Sequence, residues 1–223
     1  MRYLLKDDRC FGPKAQTVNS DKRFQNCLSP QAWQALPAAV QNRFASKVAP
    51  GEARVYRGRI DHTEINLAGR LLAQFLRLIG APLPLDSRNE GAPAIVSITD
   101  DALGNGQFWV RQYGRPKGFP QVLHSTKRFA GPTGLEEYIG AGIGMTLRLR
   151  EDRGALWFDS DRYYIGGAKL RAYLPAFLSP GALHVGHEDL GGGQFRFTLL
   201  LKHRLFGRMI YQDIIFNDPE IEL

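Results

Sequence analysis

The stretch QFRFTLLLK at residues 194–202 carries the pattern that decides the fold of this chain. Its side chains alternate, so that one face would hold Phe195, Phe197, Leu199 and Leu201, and the other Arg196, Thr198, Leu200 and Lys202. A period of two is typical of a β-strand with one buried face. Similar segments, separated by glycine-rich turns, follow one another from about Ala94 to Phe216. The sequence therefore predicts a fold dominated by antiparallel strands.

A single helix, Leu67–Ile79, is predicted just before this run, and it is apolar around most of its circumference. Its polar residues share one narrow stripe: Arg70, Gln74 and Arg77. A helix lying on a flat sheet needs only about 100° of apolar face. We therefore expect this helix in the concave side of a curved sheet, with Leu71, Phe75 and Leu78 buried. A dimer contact is the alternative.

The predicted fold class is α+β and β-dominated. About nine strands should form a strongly curved antiparallel sheet, a half-barrel or incomplete barrel, because large sheets twist and curl. One mostly buried helix and a short N-terminal helix complete it. Ser29 is a plausible N-cap with Pro30 at the first helical position, and Pro37 should separate a second helix, Ala38–Phe44. Residues 1–28 are expected to form a basic, loosely ordered arm, and residues 29–223 a single β-rich domain.

The excess of basic residues lies at the front of the chain. Residues 1–60 hold 11 of the 29 Lys and Arg residues but only 4 of the 22 acids, so the whole net charge of +7 belongs to them. The arm lacks the interleaved aromatic residues with which a single-strand binding surface stacks bases, so no nucleic-acid partner is expected. The only cysteines are Cys10 and Cys27, and the sequence does not decide whether they form a disulfide. No apolar run approaches the ~20 residues of a membrane span. A reduced, cytoplasmic protein is therefore expected.

Two short motifs resemble known sites but do not match them. His184 and His187 are three residues apart among glycines, and a strand with that spacing points them to opposite faces, so no metal site is expected. The run Gly140–Met145 contains three glycines, but the third comes one position early for a dinucleotide-binding loop and a strand follows. No bound cofactor is therefore expected.

Catalytic residues cannot be assigned from the sequence, since no serine lies in a nucleophile elbow and neither cysteine has a neighbouring base. Five residues are candidates for ligand binding: Arg111, Glu188, Trp109, Trp157 and Tyr56. Arg111 or Glu188 would be the polar anchor, because a charge inside an apolar site needs a partner or a ligand, although a structural ion pair is the alternative. The expected pocket wall includes Trp109, Leu147, Trp157 and Phe197.

The order of several motifs resembles the bacterial family called domain of unknown function 4166, over about residues 30–217. These motifs are Leu36–Phe44, Val55–Ile60 and the following Leu-rich helix, Trp109, Arg111, Tyr113 and Gly114, Ser125, Gly134–Glu136, Leu174–Pro180, Glu188 and Phe195–Phe197. Members of this family often follow a saccharopine-dehydrogenase-like reductase in longer chains. The resemblance thus implies a reductase-like partner and supplies no catalytic residue.

Three functions are compatible with these observations. The first is non-catalytic binding of a hydrophobic small molecule, such as a lipid or fatty acyl group, since a curved sheet can enclose an apolar interior with a few polar groups. The second is an accessory or interaction module for a reductase-like protein. The third is an enzyme of a type that the sequence does not identify.

Overall fold

The computed structural model describes residues 20–78, 83–167 and 171–219. Within these residues the chain forms three α-helices, namely α1 (Pro30–Ala35), α2 (Ala38–Ala45) and α3 (Leu67–Leu78). It also forms eleven strands, namely β1 (Ala53–Ile65), β2 (Pro93–Asp101), β3 (Gly106–Tyr113), β4 (Gln121–Arg128), β5 (Glu136–Gly140), β6 (Ile143–Asp152), β7 (Ala155–Gly166), β8 (Arg171–Tyr173), β9 (Ala182–Gly191), β10 (Gln194–His203) and β11 (Gly207–Asn217).

The strands close into an antiparallel barrel, so the predicted half-barrel of about nine strands is wrong. Ten strands form the ring β1–β2–β3–β4–β5–β6–β7–β9–β10–β11, and β11 pairs back onto β1. The short β8 is an eleventh strand, attached only to β7. Each neighbour in the ring is also a neighbour in the chain, apart from the β8 excursion and the closing pair. Closure leaves no free edge among the ten ring strands, which an open sheet would have to protect.

The alternation that predicted the strands also orients them. In β10 the side chains of Phe195, Phe197, Leu199 and Leu201 are all buried, whereas those between them are more exposed. In β3, β7 and β9, too, the more buried face points inward. The apolar side chains of these faces form one continuous core with those of β10 and β11. The barrel is therefore a packed interior with little free space.

Two short helices cover one end of the barrel, which we call the plugged end. Ser29 caps α1 by accepting a hydrogen bond from the Ala32 N–H, as its sequence predicted. Phe44 of α2 lies 5.2 Å, ring to ring, from Phe24 and 5.5 Å from Phe158 inside the barrel. Residues 20–28, from the predicted arm, are folded here with Phe24 almost fully buried. Residues 1–19 lie outside the described part of the chain.

Helix α3 lies on the outer surface, against β11, so its expected place inside the sheet is wrong. Leu71, Phe75 and Leu78 were expected to be buried, but they are 65%, 60% and 84% exposed. The buried residues of the helix are the small Gly69 and Ala73. A Cβ atom at Gly69 would overlap the main-chain carbonyl of Met209, so the helix backbone lies directly on the strand. Ile79, the last residue of the predicted helix, lies outside the described residues.

The two ends of the barrel differ because the connections alternate between them. The connections β2–β3, β4–β5, β6–β7 and β9–β10 lie at the plugged end with α1 and α2. The connections β1–β2, which includes α3, β3–β4, β5–β6, β7–β9 and β10–β11 lie at the opposite end, which we call the α3 end. None of the described helices has both the length and the apolar character needed to cross a membrane.

Candidate functional site

Charged side chains lie inside the barrel on three neighbouring strands. Because β3 alternates, Trp109, Arg111 and Tyr113 share its inner face. On β4, Ser125 lies opposite Trp109 in the register, and Lys127 follows two residues later on the same face. Adjacent strands therefore bring an arginine and a lysine together in an otherwise apolar interior.

Glu137 of β5 neutralises part of this charge. Its Oε2 lies 3.1 Å from the Lys127 Nζ, and its Oε1 lies 3.3 Å from the Arg111 Nη2. The Arg111 Nη2 also donates to the Ser125 hydroxyl at 3.1 Å. Lys127 and Glu137 are almost fully buried. We call Arg111, Ser125, Lys127 and Glu137 the charged cluster; it holds two cations and one carboxylate.

The charges within the cluster set its protonation. Burial alone would raise the pKa of Glu137, but the nearby Lys127 and Arg111 outweigh burial and lower that pKa to about 2. Burial lowers the pKa of the Lys127 ammonium, while Glu137 opposes that change. Glu137 is therefore ionised at neutral pH, and it holds the two cations in the core.

A cavity adjoins the charged cluster toward the plugged end. The volume within it that the centre of a water molecule can occupy is about 20 Å³, which is room for about one ordered water. Aromatic and aliphatic side chains make most of its wall, together with three arginines. The lining residues are Arg43, Phe44, Arg54, Tyr56, Val96, Ile98, Gln107, Trp109, Arg111, His187, Phe195, Phe197 and Phe216.

Unpartnered polar atoms are concentrated at this cavity. Among the described residues, seven have a buried side-chain nitrogen or oxygen without a hydrogen-bond partner, and four of those seven line the cavity. The atoms are the Arg43 Nη1, the Trp109 Nε1, the Arg111 Nε and both ring nitrogens of His187. The first three can only donate. A buried donor without an acceptor costs about 1–3 kcal/mol, so an acceptor placed in the cavity, whether a water or a ligand atom, would be stabilising.

His187 is enclosed by aromatic rings. Its ring centroid lies 5.0 Å from that of Phe44 and 5.4 Å from that of Phe197. Burial lowers the pKa of His187 well below its ordinary value, and the charges of Lys127, Arg43 and Arg111 lower it further. The imidazole is therefore neutral, with one ring nitrogen able to donate and the other able to accept.

Arg43 connects the helical plug to the barrel. Its guanidinium lies 4.2 Å above the ring of Phe195. Its Nε lies 2.6 Å from the Asp218 Oδ1, and its Nη2 lies 3.0 Å from the Asp189 Oδ1. Movement of α2 would consequently break two ion pairs and open the cavity at the plugged end.

The five candidate binding residues divide between the two faces of the barrel wall. Arg111, Trp109 and Tyr56 line the cavity. Glu188 is exposed on the outside and pairs with Arg196 at 2.8 Å. Trp157 also faces outward, where it covers Gly186 and lies beneath the Arg150 guanidinium. Of the other expected wall residues, Phe197 lines the cavity and Leu147 is buried in the barrel core.

The two motifs that resembled known sites take other roles. His184 and His187 point to opposite faces of β9, and the His184 Nδ1 lies 2.7 Å from the Asp159 carboxylate outside. In the part of the chain that the structure describes, no cluster of three or more histidine, cysteine or acidic side chains could hold a metal ion. The glycine run from Gly140 forms the hairpin turn between β5 and β6, where Ala141 also has a positive φ of 50°.

Sequence reasoning missed Arg43, Lys127, Glu137 and His187 as interior residues. The sequence did contain a signal for Lys127. In a strand, Lys127 shares one face with Leu123 and Ser125, which are apolar and small. For Glu137 the deciding contacts are with the two preceding strands, and for Arg43 they are with residues more than 140 positions away. Local patterning does not contain those contacts.

Comparison with known proteins identifies a family. No curated protein and no solved structure matches the chain. One family model, described as Domain of unknown function (DUF4166), matches residues 36–213, which include the whole ring of strands up to β11 and most of the cavity wall. The chain belongs to this family, Domain of unknown function (DUF4166).

Proposed function

We propose that the protein binds a small organic molecule with an anionic head group, most simply a carboxylate, and an apolar body. The head group would accept hydrogen bonds from Arg43, Trp109 and Arg111. The observation that carries this proposal is the set of unpartnered donors around one cavity inside the barrel.

The chemistry of the cavity favours an anion over a neutral polar ligand. An ionised carboxylate only accepts hydrogen bonds, which complements donors that have no acceptor. Charge-assisted hydrogen bonds of this kind contribute roughly twice as much as neutral ones. The charged cluster adds one more cation than carboxylates, and its buried position limits screening by solvent. His187 would supply either a donor or an acceptor at the same place.

The walls favour an apolar body of limited size. Phe44, Phe195, Phe197 and Phe216 line the cavity, so a polar body would lose hydration without gaining partners. The free volume accommodates about one water, and a larger ligand therefore requires Phe44 and Arg43 to move outward with α2. A carboxylate with a short or medium-length chain fits this arrangement better than a long-chain lipid.

The reductase-like partner remains a prediction from the family resemblance. No feature of the described residues points independently to such a partner. Binding of a small acid inside the barrel does not depend on such a partner, so the ligand can be tested on the isolated chain.

Trp109 provides a direct reporter for this proposal, because its indole lines the cavity. When the other two tryptophans are replaced, Trp33→Phe and Trp157→Phe, all tryptophan fluorescence comes from Trp109. Titration with straight-chain carboxylic acids of increasing length should change the emission saturably. Arg111→Gln should weaken binding at least ~10-fold, because it removes one charge-assisted contact worth about 1.5–3 kcal/mol.

Lys127→Met is the matched control. Lys127 belongs to the same charged cluster but does not line the cavity, and its removal leaves the Arg111–Glu137 pair in charge balance. This variant should weaken binding less than Arg111→Gln does, because it removes the extra positive charge of the cluster but no hydrogen bond to the head group. Equal weakening by Lys127→Met and Arg111→Gln, or no saturable signal at any chain length, would refute the proposed site.

A further inference from the structure

Exposed apolar side chains are concentrated at the α3 end of the barrel. Four segments contribute them: α3, the connection 114–120, residues 174–181, and residues 202–208, which are the β10–β11 connection with the adjoining strand ends. The exposed large apolar residues of these segments are Leu67, Leu71, Phe75, Leu78, Phe119, Phe177, Leu178, Leu205 and Phe206. Within the described residues, the connections at the plugged end contribute only Leu103 to the same class. The two ends of the barrel thus present very different surfaces.

The four segments are neighbours on the rim. Residues 174–181 lead into β9, residues 202–208 span the end of β10, the turn and the start of β11, α3 follows β1, and 114–120 joins β3 to β4. The ring order is β9–β10–β11–β1–β2–β3–β4, so these segments follow one another along half of the rim. Their apolar side chains therefore belong to one surface.

The charged residues of these four segments are all basic. The four segments contain seven bases, namely Arg70, Arg77, Arg115, Lys117, Lys202, Arg204 and Arg208, and not one Asp or Glu. Two of these bases have acidic partners on other segments: Arg208 pairs with Glu64, and Arg115 lies 3.8 Å from Asp86. Residues 61–223 hold 18 bases and 18 acids in all, so outside these four segments they hold 11 bases and 18 acids. The positive charge is thus local to the apolar rim.

The docking of α3 keeps its apolar stripe available. The helix contacts β11 through Gly69 and Ala73, and the Asn66 side chain fixes its start by accepting from the Gly69 N–H and donating to the Phe206 and Arg208 carbonyls. Leu67, Leu71, Phe75 and Leu78 follow one another about one turn apart along the outer side. A groove of about 630 Å³ separates α3 from Pro180 and Phe206.

We propose that the α3 end docks on an anionic lipid membrane surface, with α3 lying in the interface. Helices that lie in this position have an apolar face of Leu and Phe and a polar face of Arg and Lys. Each Lys or Arg near an anionic leaflet adds further attraction, which decays over about one Debye length. Arg70 and Arg77 lie beside the apolar stripe, where they would reach the lipid head groups.

The composition of the rim distinguishes a membrane from a protein partner. A second copy of this chain would bring the same seven bases against one another, which opposes self-association through this surface. A membrane needs no matching shape, and it accepts side chains that project from four separate segments. The excess of bases over acids on this rim is complementary to the phosphates of anionic lipids.

Co-sedimentation with vesicles tests the proposal. The protein should partition onto vesicles of phosphatidylcholine mixed with phosphatidylglycerol, and at least ~10-fold less onto vesicles of phosphatidylcholine alone. Raising the salt concentration should weaken the binding, because the Debye length shortens. Phe75→Glu should reduce partitioning onto the anionic vesicles by ~10-fold or more, since it removes apolar area that the membrane would bury and adds a negative charge that the anionic lipids repel.

Leu103→Glu is the matched control, because it changes a fully exposed apolar residue to the same acid at the plugged end. It should bind the anionic vesicles like the parent protein. Absence of binding, equal binding to both types of vesicle, or equal loss in Phe75→Glu and Leu103→Glu would overturn the proposal. A parent dimer that Phe75→Glu converts to a monomer in size-exclusion chromatography, without vesicle binding, would assign this surface to a second copy instead.

Discussion

Glu137 and Lys127 face each other inside the barrel, with 3.1 Å between the Glu137 Oε2 and the Lys127 Nζ, and both side chains are almost fully buried. The Arg111 guanidinium approaches the other oxygen of the same carboxylate. One acid thus compensates two bases in the core. This imbalance makes the three charges unequal in their effect on stability, and it leaves one positive charge beside the cavity.

Removal of the acid should therefore be more harmful than removal of either base. Glu137→Gln leaves two buried cations close together without a counter-ion, and we expect a loss of ~3–5 kcal/mol in the free energy of unfolding. Lys127→Met leaves the Arg111–Glu137 pair balanced and replaces a long side chain by an apolar one of similar length. Its loss should be smaller by ~2 kcal/mol or more. Urea denaturation of the two variants measures the difference; similar losses would show that the charges act independently.

Acid should destabilise the protein in two steps. The unfolded chain binds a proton at His187 below about pH 6.5, but the folded chain does not, because burial keeps this imidazole neutral. The free energy of unfolding should therefore decrease as the pH falls below about 6.5. The Glu137 carboxylate has its pKa lowered from 4.5 to about 2, so its contribution is present above pH 4.5 and is lost as the pH falls toward 2.

His187→Phe separates the two steps. An aromatic ring of similar shape in this aromatic cage removes two unpartnered nitrogens, so stability at pH 7 should be unchanged or higher. The decrease between about pH 6.5 and 4.5 should become shallower, while the decrease below 4.5 remains. His184→Gln, on the outer face of the same strand, serves as the control. A pH profile of His187→Phe identical to that of the parent would contradict a neutral, buried His187.

The position of α3 makes opposite predictions for two phenylalanines. Phe75→Ala should change the free energy of unfolding by less than ~1 kcal/mol, because its ring is 60% exposed. Phe158→Ala should cost ~3–5 kcal/mol, because that ring is almost fully buried between Phe24 and Phe44. Thermal or urea unfolding of both variants provides the comparison. A large loss in Phe75→Ala would place the helix inside the core after all.

Gly69→Ala tests how α3 is attached. A methyl group at this position would overlap the Met209 carbonyl, so the helix must shift away from β11. We expect a loss of ~1–3 kcal/mol even though alanine favours helix more than glycine does. Gln74→Ala, at an exposed position of the same helix, is the control for the effect of alanine on helix propensity. Stabilisation of the protein by Gly69→Ala would contradict close contact between the helix backbone and the strand.

The strands could be predicted from the sequence because their signal is local. Alternation in residues 194–202 predicted the inward face of β10 correctly, and the turn residues between strands predicted the antiparallel neighbours. Closure could not be predicted in this way. It depends on β1 pairing with β11 across about 150 residues, and on β7 pairing with β9 rather than only with its chain neighbours β6 and β8. Neither hydrophobic period nor turn chemistry reports such long-range pairs.

The error over α3 has a physical reason as well. Its wide apolar surface was interpreted as a core-facing surface, because burial is the usual reason for such a pattern. The helix instead packs through its smallest side chains, Gly69 and Ala73, and leaves its largest ones exposed. Small residues permit close backbone approach, and periodicity alone does not distinguish the two arrangements.

The candidate site was predictable only in part. Trp109 and Arg111 were predicted from the sequence to bind a ligand, and both line the cavity; their binding role stays a prediction. Glu188 and Trp157 lie on the outer face of the barrel wall, and their strands gave no clear inward face in the sequence. The cluster partners Lys127 and Glu137 come together only after β4 and β5 pair.

The most direct test of anion binding compares an acid with its matched alcohol by isothermal titration calorimetry. Octanoate and octanol have the same apolar chain and differ at the head group that the unpartnered donors would bind. We expect octanoate to bind with one site per chain and at least ~10-fold more tightly than octanol, a difference of about 1.4 kcal/mol. Equal affinities, or no heat of binding from either ligand, would contradict an anion site in the barrel.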